Sequence, residues 1–133
     1  MPNVINYFSC LDSIARYYFK YSPPEKQFIQ QQAAVWGIQA TTLQKIEIDQ
    51  IDFEAFDQNE KLVLLRDLIT LACLDGHVSA SETEAIQDIS KRMKLPYDKA
   101  IEIENWLKNL WELFEKGAKI FEASSNMKSS QLA

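Results

Sequence analysis

Sliding the chain along itself by 57 residues aligns its two halves without a gap, and this internal match limits the possible architectures more than any other feature. Leu11 falls on Leu68, Ala15 on Ala72, Ser22 on Ser79, Glu25 on Glu82 and Ile29 on Ile86. Farther on, Ile38 meets Leu95, Ile46 meets Ile103, Glu47 meets Glu104 and Phe53 meets Leu110. Two amphipathic helices match easily, because both place Leu and Ile at the same period. A shared Ser-x-x-Glu at the same phase against those apolar positions is harder to obtain by coincidence. The expectation is an all-α fold of two helical hairpin units, about residues 4–57 and 61–114, packed face to face around one core. They form one domain over residues 1–122, followed by a flexible tail at 123–133.

Local signals place the helices. Ile5, Phe8, Leu11, Ile14, Ala15, Tyr18 and Tyr21 are spaced three or four apart, which predicts a first helix over residues 4–21. Ser22-Pro23-Pro24-Glu25 restarts the chain as a capping box with proline in the first turn, for a second helix ending at Gly37. A short helix is expected over residues 41–48, with Leu43 and Ile46 inward. Residues 59–74 are apolar on nearly every side, with Arg66, Asp67 and Thr70 on one narrow strip, which suits the middle of a bundle. Gly76 suits a helix end, and Ser79 with Glu82 repeats the capping box for a helix reaching Met93. Pro96 opens the last helix, whose broad stripe includes Ala100, Ile103, Trp106, Leu107, Leu110, Leu113 and Phe114.

Composition excludes several classes. With three glycines and four prolines in 133 residues, a sandwich or barrel of many short strands lacks its turn chemistry. The net charge of −5 comes with no basic stripe to neutralise phosphates, which argues against nucleic acid and against anionic membrane surfaces. The most apolar run, residues 62–74, contains Arg66 and Asp67 and is too short for a transmembrane segment. Cys10 and Cys73 have no Cys-x-x-Cys spacing and no signal peptide precedes them, so a reducing cytoplasmic setting is expected, with both as small apolar core residues. Six carboxylates, Glu47, Asp49, Asp52, Glu54, Asp57 and Glu60, lie in one segment with no basic residue among them. They read as a solvated acidic face or as a docking surface for a basic protein partner.

One segment carries chemistry. Residues 71–82 can be laid over the calcium loop of an EF-hand, with Gly76 at the turn, Asp75 before it and Glu82 at the bidentate end. Leu71 and Cys73, however, occupy the first two ligand positions, and calcium takes about six to eight oxygens, so a working EF-hand is rejected. The order and spacing of Ala72, Asp75, Gly76, Val78, Ser79 and Glu82 instead resemble the TerB-like family, over residues 60–113 and more faintly over the first half. The resemblance implies an all-α bundle in a bacterial stress response, tellurite resistance in the name-giving members. It implies scaffolding rather than catalysis, with acidic residues proposed to hold divalent cations such as calcium. By position, Asp75 and Glu82 become the candidate metal ligands. Tyr18 and Phe19 stand where the first half would need Asp-Gly, so no matching second site is expected there. Helix capping by Ser79 and Glu82, and helix ending by Asp75 and Gly76, account for the same residues with no ligand at all.

His77, the single histidine, has no spaced thiol or imidazole for zinc and reads as an exposed loop residue. Trp36, Trp106 and Trp111 read as packing residues, with Trp111 off the main stripe and so the one to mark a partner surface. Tyr17 and Tyr97 are further candidates for an exposed interface. No nucleophile has a base in a readable motif, and no phosphate loop follows a strand, so an enzyme is not expected. The two functional expectations are a non-catalytic binding or scaffold protein and a small structural subunit of a larger assembly with no ligand of its own.

Overall fold

Among the described residues, five α-helices make up the fold: α1 (Val4–Tyr18), α2 (Pro23–Val35), α3 (Gln58–Ala72), α4 (Ala80–Arg92) and α5 (Tyr97–Leu132). The computed structural model describes residues 4–74 and 78–132, with side chains through Phe121, and among the described residues there is no strand. The chain is all-α, as its glycine-poor, periodic sequence requires.

The 57-residue offset is visible in the backbone of α2 and α4, whose first and last residues coincide under it. Both follow an extended serine, Ser22 (φ −64°, ψ 162°) and Ser79 (φ −73°, ψ 164°). Both end in the same left-handed turn, at Gly37 (φ 75°) and Lys94 (φ 59°). The amide of Ile38 donates to the Ala33 carbonyl at 3.0 Å, and that of Leu95 to the Ser90 carbonyl at 2.9 Å, which satisfies carbonyls a helix end otherwise leaves open.

α1 is deeply sequestered, with every residue from Tyr7 to Ala15 buried. It packs on α2, α3 and α4, while α5 packs chiefly on α3 and α4. Leu11, Ile14, Ile29, Leu64, Leu68 and Ile89 form the centre of the core. Hydrogen-bond partners offset the cost of burying the polar residues of α1. The Ser9 hydroxyl accepts from the Gln44 amide at 2.9 Å, the Ser13 hydroxyl accepts from the Ile46 amide at 3.0 Å, and the Asp12 carboxylate accepts from Tyr21 and from Arg16.

Two expectations are corrected here. α1 stops at Tyr18 rather than Tyr21, because Tyr21 turns left-handed (φ 50°) and folds its ring back beneath the Arg16 guanidinium, 4.2 Å from the ring centroid. The helix expected over residues 41–48 is absent. Alternate amides, Gln44 and Ile46, are taken by α1 hydroxyls, which holds the segment extended between short 3-10 turns at Ala40–Thr42, Ile48–Gln50 and Phe53–Ala55. On the polar strip of α3, Asp67 is buried, and the Tyr7 hydroxyl of α1 donates to it.

α3 begins on a third capping box, in which the Asp57 carboxylate accepts from the Glu60 amide at 2.8 Å and Glu60 accepts from the Asp57 amide at 3.1 Å. α5 runs continuously through residues 124–132, the segment read as a tail from its composition.

Candidate functional site

The candidate site begins at the start of α4. Glu82 is buried, its Oε1 accepts from the Ser79 amide at 3.0 Å, and its own amide donates to the Ser79 hydroxyl at 3.2 Å. Capping thus occupies one carboxylate oxygen of Glu82. Asp75, the other candidate ligand, lies outside the described residues, as do Gly76 and His77.

A second glutamate is brought to Glu82 by the packing of the two halves. Glu25, at the equivalent position of α2, is 6% exposed and lines the same cavity as Glu82, a space of about 190 Å³ between the starts of α2 and α4 and the end of α3. Lys20, Ser22, Pro24, Leu71 and Leu74 complete its lining. Glu25 Oε1 accepts from the Ser22 hydroxyl at 2.9 Å and from the Ser22 amide at 3.4 Å. Glu25 Oε2 is buried with no hydrogen-bond partner among the described residues. Leaving a carboxylate oxygen so placed is costly unless something else supplies the missing contact. The internal repeat was the signal for Glu25, since it aligns Glu25 with Glu82. The lack of Asp-Gly at Tyr18 and Phe19 pointed away from it.

The electrostatics of the cleft are nearly balanced. Two carboxylates face it, but two helix N-termini point into the same region with about half a positive charge each, and Lys20 adds one more. The net pull of the cleft on a small cation is therefore shallow. Among the described residues, no group of three or more His, Cys, Asp and Glu side chains is arranged to hold a metal ion.

The other candidate residues are scattered. In the acidic segment, Glu54 pairs with Lys94 at 3.2 Å and Lys61 at 4.0 Å, Asp49 pairs with Arg92 at 3.8 Å, and Asp57 and Glu60 cap α3. Cys10 is buried, and that burial pushes its thiol up to about 11, so it stays protonated at neutral pH. Trp111 packs against the core, whereas Trp106 is 55% exposed, which reverses the roles expected from the helical stripe. Tyr17 is exposed at 69% and stacks edge-on against Tyr18, while Tyr97 is half-buried.

No protein-family model, curated protein or solved structure matches this chain.

Proposed function

We propose that the chain is a non-catalytic, TerB-like binding domain built from two duplicated helical hairpins, which takes a divalent cation weakly in the cleft between Glu25 and Glu82. The observation that carries the reading is the buried Oε2 of Glu25, which has no hydrogen-bond partner among the described residues and lies in a cavity shared with Glu82. Hard cations such as calcium or magnesium prefer such oxygens. Asp75 is seven residues before Glu82 in sequence and is the proposed third carboxylate. The duplication is supported by the shared serine caps, the shared left-handed ends and the coincident bounds of α2 and α4. A stress-related scaffold in the cytosol belongs to the same proposal. No described helix is long and apolar enough to cross a membrane. Docking of a basic protein on residues 47–60 is the weaker part, since several of those carboxylates already hold internal partners.

The test is thermal unfolding with calcium, magnesium, manganese or zinc, because a ligand that binds only the folded state raises the melting temperature. A rise with at least one ion at millimolar concentration is expected, reduced in Glu25→Gln and in Glu82→Gln. The amides preserve most of the capping and remove the charge. No rise with any ion removes the cation from the proposal and leaves the second reading, a structural subunit with no ligand of its own.

A further inference from the structure

The distal half of α5 carries apolar side chains that no described part of the molecule covers. Leu107 is buried at 5% exposed, but Leu113, Phe114, Ile120 and Phe121 are 65–73% exposed, and Trp106 on the same side is 55% exposed. These positions are ordered. Ile103, Trp106, Leu110, Leu113, Gly117 and Ile120 alternate spacings of three and four, which is the seam of a coiled coil. Phe114 and Phe121 run along one edge of it. The seam begins on the bundle and continues past it.

We propose that this face is an interface between two copies of the chain, paired antiparallel along α5 about a two-fold axis between Trp111 and Glu112. The exposed area is sufficient. Five large apolar side chains at these exposures present roughly 600 Å² per copy, so a pair buries about 1,200 Å² from them alone, the lower bound for a stable interface. The seam is also self-complementary. Antiparallel pairing about that axis sets Ile103 against Ile120, Leu110 against Leu113, and the bulky Trp106 against Gly117 of the other copy. Gly117 is the one seam position here with no side chain, and a Cβ built on it meets nothing within 4 Å, so the space is open to a partner's indole.

A receiving groove is already formed. A cavity of about 280 Å³ between α3 and α5 is lined by Leu62, Val63, Ile103 and Trp106, with Arg66, Lys99 and Glu102 at its polar side. The antiparallel arrangement brings Ile120 and Phe121 of the second copy to this groove. A membrane is the poorer occupant, because the charges flanking the seam are mixed, Glu112 and Glu115 with Lys116 and Lys119, rather than a basic face that anionic lipid would attract.

Sedimentation velocity of the full chain across a micromolar to sub-millimolar range tests the interface. A reversible monomer–dimer equilibrium is expected, with Trp106→Ala and Gly117→Leu each raising the dissociation constant about tenfold or more while helix content holds. Leucine favours helix over glycine, so weakening by Gly117→Leu cannot come from a damaged helix. The proposal is overturned by a chain that stays monomeric throughout, including one that instead sediments with zwitterionic vesicles. It is equally overturned by a dimer that neither substitution weakens, or by one that Gly117→Leu tightens, since parallel pairing would set Gly117 on Gly117.

Discussion

Gly37 and Lys94 close α2 and α4 with the same left-handed turn, although only one of them is a glycine. A side chain in that conformation costs about 1 kcal/mol, which Lys94 bears and Gly37 avoids. Lys94→Gly is therefore expected to raise the melting temperature by a few degrees, and Gly37→Ala to lower it by a similar amount. The exposed Lys94–Glu54 pair lost in the first variant is worth little. Thermal unfolding of the two variants against the parent checks both signs.

Tyr7 ties α1 to α3 through the buried Asp67 carboxylate. Tyr7→Phe keeps the ring, including its edge-to-face contacts with Phe8 and Phe56, and removes only the hydroxyl. Asp67 then keeps Arg66 alone, at 3.1 Å. A loss of about 1–3 kcal/mol in denaturant titration is expected, the cost of under-satisfying a buried carboxylate.

Alkaline pH should unfold the bundle through its tyrosines. Burial pushes Tyr18 and Tyr21 up to about 12 from an ordinary value of 10.0, helped by hydrogen bonds to Asp88 and Asp12. Tyr7 moves further in the same direction, by burial first and by Asp67 second. A folded state that holds these protons more tightly than the unfolded chain keeps its full stability below about pH 10 and loses it as pH rises through about 12. The melting temperature should hold up to about pH 9 and fall steeply beyond pH 10, and Tyr18→Phe with Tyr21→Phe should flatten the fall. An unchanged slope in that double variant would show that Tyr7 and Cys10 carry the effect.

Among the described residues, Lys20 is the one basic side chain lining the Glu25–Glu82 cleft. Lys20→Met is expected to enlarge the rise in melting temperature that a divalent cation produces, because it removes a like charge from the site. If Lys20→Met responds to the cation as the parent does, the cation lies elsewhere.

The helices were legible where the signal was local. Ser22 with Glu25, and Ser79 with Glu82, announce their helix starts in four residues each, and Gly37 announces an end. What escaped depends on distant partners. Thr41 to Ile48 read as helix because nothing near them says that Ser9 and Ser13 will take the amides of Gln44 and Ile46. The partner of Asp67 was not legible because Tyr7 is 60 positions away. For the cleft, Glu82 was visible from its motif, whereas Glu25 was visible only through the repeat, and its open oxygen only in three dimensions. Trp106 and Trp111 exchanged roles because helical periodicity gives a face but not where the bundle beneath it stops.

The placement of α5 has a consequence for biosynthesis. α1 to α4 contain the contacts that join the first half of the chain to the second, and α5 reaches the core through Ala100 and Leu107, early in its length. The ribosome therefore completes every residue needed to close the core before it makes Leu113 through Phe121. A message cut short after Glu112 should yield a chain that keeps Trp111 and folds but has lost the outer half of its seam, Leu113, Gly117 and Ile120. Folding and association would then be separable by the point at which translation ends.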